Sequence, residues 1–383
     1  MVMVPTGLSA GWGGLTSTII KPTERFGFVG TDLGYFFTGG KGQWTGAIFG
    51  DTFDATDPDN AKGRGWRSPV ILRTSSFNGM GLGGPKWDNA VGGKRAKQSW
   101  PYEHRDGSVS GKTFDAFTII PNDVIQLPNG YYMGNGFRVK QWVNADNIAR
   151  ATAEAQGMCW TLSNAWYWSS EPHAENWEPC RHTGNLGRLY EWPNSGRDAF
   201  FQNTSMVMVP GDENVYVFGT PEGRKGGSMS GVYLRRAHWT RLTDDAAWEF
   251  WTFRDGTWRW RKDSHPTKLF ELPGQVAIGE IDVQIIDGKV ALSYVSIAGA
   301  VVRFADRPDA RWSREYLMVP HNLLPSMYAP SLHPKSTMTN AFLHLSSWSK
   351  VPNPAHAVDK NQPVTISGNY GVYGFRGPLK ILA

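Results

Sequence analysis

Cysteine is scarce: Cys159 and Cys180 are the only two in 383 residues. That excludes a disulfide scaffold and a four-thiolate zinc site, and leaves open one local crosslink or two free thiols. Charged residues make up 19% of the chain, too few for a coiled coil or a disordered polyelectrolyte. No apolar stretch approaches the ~18 residues of a membrane-spanning helix. Lysine and arginine form no extended cluster and the net charge is +5, which argues against a nucleic-acid partner. The start, Met1-Val2-Met3-Val4-Pro5, has neither a basic opening nor an apolar run, so no secretory signal is visible. Helical periodicity is almost missing, and the best helical candidate is the short segment from Asn144 to Gln156. There is no HExxH, phosphate-binding loop or dinucleotide fingerprint. Gly7-Leu8-Ser9-Ala10-Gly11 spells a nucleophile elbow but lacks the preceding strand and following helix that motif requires.

Turn formers and aromatic residues are abundant. The chain has 44 glycines and 24 prolines, with 18 tryptophans, 13 tyrosines and 19 phenylalanines. Short apolar runs separated by turn residues recur from end to end, the pattern of an all-β protein. They come in pairs. Phe28–Asp32 precedes Thr45–Phe53, Asp123–Leu127 precedes Tyr131–Phe137, Ser205–Val209 precedes Val215–Thr220, Ile281–Ile286 precedes Val290–Val295, and Tyr328–Leu332 precedes Ala341–Ser346. Polar turns such as Pro128-Asn129-Gly130 and Asp287-Gly288-Lys289 join three of the pairs. From Gly50 through Gly134, Gly219, Leu292 and Leu345 the spacings are 84, 85, 73 and 53 residues. A four-stranded propeller blade needs about 40–50 residues, so five units with long loops predict one five-bladed β-propeller domain over residues 1–383, with a two-sheet sandwich as its rival.

In a propeller the first strand of each blade lines the axis, so polar groups on those strands are the place to look for chemistry. Asp32 lies in Gly30-Thr31-Asp32-Leu33-Gly34, Asp51 in Phe49-Gly50-Asp51-Thr52-Phe53, Asp123 follows Ile119-Ile120-Pro121-Asn122, and Glu280 opens Glu280-Ile281-Asp282. A carboxylate beside a buried strand is costly unless paired or used, and paired carboxylates flanking a sugar are the machinery of glycoside hydrolysis. Against this stands the simpler reading that each caps a turn. Trp44, Trp66, Trp100, Tyr102, Trp142 and Trp166-Tyr167-Trp168 fall in loops or at strand ends, where they stack on sugar rings or pack blade against blade. Trp248, Trp251, Trp258 and Trp260 read as packing in an outer strand.

The ordered blocks Gly30–Gly34, Phe49–Phe53, Trp66-Arg67-Ser68-Pro69, Ile119–Asp123, Val215–Arg224, Val232–Arg236, Gly279–Val283, His333-Pro334, Leu345–Trp348 and Asn369–Tyr373 resemble glycoside hydrolase family 183. These are endo-D-arabinanases formerly filed as a domain of unknown function of the DUF4185 type. The resemblance runs from about Phe26 to Phe375. It implies a five-bladed propeller that cuts internal D-arabinofuranosyl linkages in arabinogalactan and lipoarabinomannan of mycobacterial-type cell walls. Asp282 departs from the pattern, since the family more often has serine there. Asp32 is the expected nucleophile or base, Asp51 its partner or the acid, and Glu280 the remaining acid candidate. Asn122, Asp123 and Arg224 are expected to hydrogen-bond sugar hydroxyls, while Trp44, Trp66 and Tyr328 are expected to contact the glycan. No metal or cofactor is required, although an ion in the central channel stays open. The partner is a cell-wall polysaccharide, with neither nucleic acid nor membrane insertion. The missing signal fits a phage protein carried on the virion or released at lysis. A non-catalytic carbohydrate-binding propeller and a purely structural one are the rivals.

Overall fold

A computed structural model describes residues 2–13, 20–55, 65–75, 85–105, 113–142, 159–222, 230–272, 277–349 and 369–379. Its regular structure is almost entirely β-strand, mostly antiparallel and arranged as five main sheets, with only short 3-10 turns besides. Sheet I contains Leu33–Gly39, Trp44–Phe49, Val70–Thr74 and Asn89–Ala90. Sheet II contains Thr118–Gln126, Tyr132–Trp142, Cys159–Ser169 and Glu178–Pro179, with Glu191–Pro193 also paired to its third strand. Sheet III contains Asn203–Met208, Asn214–Thr220, Tyr233–His238, Glu249–Arg254 and Thr257–Arg261. Sheet IV contains Ile281–Ile286, Lys289–Ser296, Gly299–Ala305 and Tyr316–Pro320. Sheet V begins with Met327–Leu332, Ala341–Ser349 and Asn369–Gly377. Its fourth strand, Val4–Trp12, comes from the other end of the chain and pairs antiparallel with Asn369–Gly377.

The strand pairs read from sequence recur with small shifts. Asp287 and Gly288, both at positive φ, make the two-residue turn between the first two strands of sheet IV, as an Asp-Gly pair in a tight hairpin should. The middle strands are buried on both faces: Val215 to Phe218 and Ala291 to Leu292 are inaccessible. A sheet covered on both sides needs continuous apolar runs rather than alternation, which is why the pattern here was one of short apolar blocks. The first pair is the exception. Phe28–Asp32 is not a strand; it carries only a bridge from Gly30 to Phe53, and the inner strand begins at Leu33. The helical candidate between Asn144 and Gln156 lies outside the described residues.

The sheets succeed one another in a cycle. The inner strand of sheet I touches those of sheets II and V, and that of sheet III touches those of sheets II and IV. Sheets IV and V meet in the same way. Each neighbouring pair encloses its own apolar cluster. Ile48 and Ile119 mark the cluster between I and II, Met206 and Trp166 that between II and III, and Phe218 and Leu292 that between III and IV. Leu332 and Val302 mark the cluster between IV and V, and Phe36 and Phe342 that between V and I. The arrangement is therefore all-β and propeller-like. Its stability is spread over five seams, and truncating one fully buried ring such as Phe218 to alanine would cost about 3–5 kcal/mol.

Two repeated pins tie the inner strands together. Asp123 accepts from Ser205 Oγ at 2.8 Å and Met206 N at 2.6 Å, while Ser205 Oγ accepts from Val283 N at 2.9 Å. Asp282 accepts from Leu332 N at 2.9 Å and Ser331 Oγ at 3.3 Å, while Ser331 Oγ accepts from Phe36 N at 2.9 Å. One Asp-Ser relay thus runs II to III to IV and its twin runs IV to V to I.

Candidate functional site

The starts of the inner strands converge at one mouth. Asp32 stands immediately before the first strand of sheet I, Thr118 opens sheet II, Glu280 precedes Ile281 in sheet IV, and Tyr328 is second in the inner strand of sheet V. Asp51 follows the second strand of sheet I and returns to the same end. The segments carrying Asp32 and Asp51 are zipped together. Gly50 N donates to Asp32 O at 3.1 Å, Phe53 N to Gly30 O at 2.8 Å, and the hydroxyls of Thr31 and Thr52 lie 2.7 Å apart. A Cβ at Gly50 would sit 2.4 Å from Asp32 Oδ1, so any larger residue there would push the Asp32 carboxyl aside.

Local backbone distortion aims these groups. Leu33 (φ 64°) and Ala329 (φ 48°) occupy the left-handed region directly after Asp32 and Tyr328. The inner strands of sheets I, II and V each break register there, between Leu33 and Tyr35, Pro121 and Asp123, and Tyr328 and Ser331. Left-handed non-glycine residues and bulges are unfavourable unless the surroundings hold them, and they cluster where side chains are re-aimed. Here His344 Nδ1 pairs with Gly34 O at 2.9 Å and Ser346 Oγ donates to Leu33 O at 3.2 Å, bracing the turn from sheet V.

The two aspartates have different surroundings. Asp51 Oδ1 accepts from Trp66 Nε1 at 2.9 Å and Thr118 Oγ1 at 2.6 Å. Burial pushes its carboxyl above the ordinary value, while Thr118, Trp66 and nearby His104 pull it back. Asp32 Oδ2 accepts from Tyr328 OH at 3.0 Å, and the buried Oδ1 has no hydrogen-bond partner within normal geometry among the described residues. Burial first, then the charge of Asp51 and more weakly that of Glu280, drive Asp32 well above its ordinary range; Tyr328 and Tyr370 oppose this. Tyr370 OH donates to the Asp51 carbonyl at 3.0 Å. The mouth thus brings together Asp32, Asp51, Glu280, Tyr328 and Trp66, all expected from sequence.

Other expected residues are elsewhere. Asn122 is buried, and its Nδ2 donates to Gln202 O and Thr204 Oγ1; Asp123 is buried and accepts from Val124 N, Ser205 and Met206. Both pin sheet II to sheet III instead of offering groups to a ligand at the mouth. Trp44 also needs correcting: it starts the strand that ends beside Asp51, ~17 Å away by strand rise. It is buried in the seam between sheets I and II, with Tyr132 and Phe37 against it. Trp100 and Trp166 are fully buried, and Trp100 stacks on Tyr167. Arg224 lies outside the described residues. Cys180 carries a free buried thiol, 3.3 Å from Met133 Sδ.

Thr118, Tyr370, His104 and Phe117 belong to the site without having been singled out. Tyr370 sits inside a block already visible in the sequence and Thr118 stands just before the block that begins at Ile119, and nothing local marks their hydroxyls as facing a carboxylate. The rings of Phe117, Trp66, Phe53, Tyr370 and Trp348 form a continuous ribbon past Asp51, with successive centroids 5.0, 6.1, 6.0 and 6.3 Å apart. Its two ends are open to solvent, Phe117 being 39% and Trp348 38% exposed. A cavity of about 610 Å³ opens at the opposite end, among Phe36, Thr38, Val124, Met206 and Gln284. Two carboxylates line it, Asp123 and Asp212, and both already accept hydrogen bonds from their neighbours, whereas the mouth holds crowded carboxylates, one oxygen of which has no hydrogen-bond partner among the described residues. The mouth is the candidate active site.

A buried carboxylate pair under an aromatic ribbon, on a propeller-like all-β frame, defines a class of acid–base sites. Residues 19–376 match the domain of unknown function DUF4185, and the chain belongs to that family. Its fold is similar to that of an inferred hydrolase from Bacteroides ovatus ATCC 8483, at 15% identity and a TM-score of 0.55, covering 92% of this chain and 87% of the other. It also aligns with Zg3597, a family 117 glycoside hydrolase of Zobellia galactanivorans, at 11% identity and a TM-score of 0.49 over 98% and 90% of the two chains. A GH43_1 enzyme of Xanthomonas citri complexed with xylotriose aligns at 11% identity and a TM-score of 0.43 over 93% and 91%. No curated protein matches the sequence.

Proposed function

We propose that the chain is one five-bladed propeller domain acting as an endo-D-arabinanase, with Asp32 and Asp51 as its catalytic pair. The cycle of five sheets, the Asp-Ser relays and the closing strand support the five-bladed reading. The observation that carries the catalytic reading is the unequal carboxylate pair. Asp51 Oδ1 is supplied with two donors, whereas Asp32 Oδ1 finds none among the described residues and the carboxyl feels two other carboxylates. Two like charges that close share one proton, and the poorer environment holds it. The proton therefore rests on Asp32, which reverses the roles expected from sequence. Asp32 protonates the departing glycosidic oxygen, and ionised Asp51 attacks the anomeric carbon or activates water while the sugar passes through an oxocarbenium-like state. Glu280 adds negative charge close by. The aromatic ribbon offers faces for the C–H surfaces of a neutral glycan on both sides of the pair, which suits cutting inside a chain. D-arabinan as the substrate rests on the resemblance in the sequence blocks.

The test is to incubate the protein with purified arabinogalactan and separate the products. Oligosaccharides of mixed length support internal cutting, single arabinose units indicate end-trimming, and binding without products makes the mouth a lectin-like site. Asp51→Ala should abolish release. Asp32→Ala should lower the rate on polysaccharide by about 10²–10⁴-fold, the worth of a general acid, and lose much less on an aryl arabinofuranoside whose leaving group needs no proton.

A further inference from the structure

His104 is held in a way that one proton on its ring does not satisfy. Its Nδ1 lies 3.0 Å from the Phe117 carbonyl oxygen and its Nε2 2.8 Å from Gln98 Oε1. Both partners are acceptors. The orientation of Gln98 is fixed by its own amide nitrogen, which donates to Trp100 O at 3.1 Å and Tyr102 O at 3.3 Å, while Ser68 N approaches Oε1 at 3.5 Å. Turning the amide over would set its oxygen against two carbonyls and its NH₂ against a donor. Neutral imidazole has one N–H, so one of its nitrogens would direct a lone pair at an oxygen; only the imidazolium donates from both.

The ring also backs the site. It lies 4.3 Å from the ring of Trp66, whose Nε1 donates to Asp51. We infer that His104 is a proton-dependent positioning residue: as the imidazolium it clamps Gln98 to the Phe117 carbonyl and holds the Trp66 indole against Asp51. Losing the proton leaves a lone pair facing Gln98 or Phe117, the ring turns away, and Trp66 loses its backing.

The surroundings act on this proton in opposite senses. Asp51 faces it from the end of sheet I and favours the cation, as does the Phe117 carbonyl; burial works against the cation more strongly and sets the proton's loss below the ordinary histidine value. Tyr102 lies beside it at 4.7 Å between ring centres. Arg105 on the same segment is taken up by Asp115 at 3.0 Å, and Arg67 on the Trp66 segment by Asp54 at 3.0 Å. Glu103, the remaining charged neighbour in sequence, is exposed. The site is therefore assembled on the acid side of neutrality and loosens as pH rises.

As regards catalysis the inference rests on the glycosidase reading, so its first test is independent of activity. The protein labelled with ¹⁵N-histidine and ¹⁵N-tryptophan is titrated from pH 4.5 to 8 by NMR. The expectation is that both His104 nitrogens carry protons at the acid end, and that the Trp66 indole N–H signal moves with the same midpoint. A neutral single tautomer across the range, or a Trp66 signal that ignores the His104 transition, overturns the inference whether or not the protein cleaves arabinan. The second test is the pH–rate profile on arabinogalactan. The alkaline limb should follow His104, with kcat/KM falling about tenfold as one positioning contact is lost, and His104→Gln should flatten it. Gln98→Met, which removes the opposing oxygen, should weaken the limb while keeping the ring; it also serves if His104→Gln does not fold. An unchanged alkaline limb in a folded variant overturns the positioning role. Absence of turnover in the wild-type protein with the NMR behaviour intact overturns the glycosidase reading alone.

Discussion

Asp32 is held where an ionised carboxylate is disfavoured, and that has a consequence for stability as well as chemistry. Its carboxyl binds a proton more tightly in the folded chain than in the unfolded one, whose ordinary value is 3.8. Between 3.8 and its raised folded value the native state therefore holds more protons than the unfolded state. Stability falls as pH climbs through that window, and the full penalty is present above it. Asn at this position can still accept from Tyr328 and carries no charge toward Asp51. Asp32→Asn should raise the melting temperature at pH 7, by the equivalent of about 0.5–2 kcal/mol as for other relieved functional sites, and the gain should vanish below pH 4. Calorimetry at pH 3.5, 5 and 7 reads this directly; an equal or opposite shift at all three values removes the argument for a strained carboxylate. At this scale the sequence was informative where charge stood against an apolar strand, as at Asp32, Asp51 and Glu280. It was mute about Thr118, Tyr370 and His104. Those side chains reach Asp51 only because separate sheets bring them there, and hydroxyls and imidazoles are unremarkable in a loop or strand start.

Asn122, Asp123 and Asp282 raise a question that belongs to whole strands. A buried carboxylate on an axis-lining strand looks the same in sequence whether it meets a sugar or a neighbouring strand. Asp123 and Asp282 meet Ser205-Met206 and Ser331-Leu332, in one repeated geometry. The alternating legibility follows from this: apolar blocks and Asp-Gly turns reveal pairing within a sheet, but contacts between sheets leave no periodic trace. The break after Asp32 was hidden too, since Leu33 at positive φ is held by Ser346 and His344 from another sheet. The relay predicts a coupling. Asp282→Ala leaves the Leu332 amide and the Ser331 hydroxyl without their acceptor, and each stranded buried donor costs about 1–3 kcal/mol. Ser331→Ala removes both the donor to Asp282 and the acceptor for Phe36 N. In a double-mutant cycle by urea unfolding the two should be non-additive by about 0.5–3 kcal/mol. Asp282→Ala with Val319→Ala, a buried position elsewhere in sheet IV, should come closer to additivity. Additive behaviour of Asp282 and Ser331 would mean that the pins carry no tension between sheets.

Across the whole molecule, the sheet that closes the cycle is built from both ends of the chain, and this ties global stability to the mouth. Val4–Trp12 lends Leu8 to the cluster between sheets IV and V, Ala10 to that between V and I, and Trp12 to the small cluster with Phe53 and Tyr370. Tyr370 in turn donates to the Asp51 carbonyl. Gly11 is the tight point of this closure. It has φ of +79°, and a Cβ there would lie 2.4 Å from Tyr370 O and 2.6 Å from Gly371 Cα, backbone atoms that cannot swing aside. Gly11→Ala therefore has to part the closing strand from Asn369–Gly377 at the residue that supports Asp51. The expected cost is about 1–3 kcal/mol, a fall of ~1–4 °C in melting temperature for a chain of this size. Cleavage should suffer at temperatures where the protein is still folded, with kcat reduced more than KM, because Tyr370 shifts under Asp51 while the exposed ends of the aromatic ribbon stay. Gly93, with nothing within 4 Å of its Cβ position and the same φ of +79°, is the matched comparison: Gly93→Ala carries the backbone strain without the collision. If the two variants lose stability and activity alike, the closing strand is only a cover over sheet V. If Gly11→Ala alone lowers kcat, the seam between the chain ends is part of what positions the carboxylates.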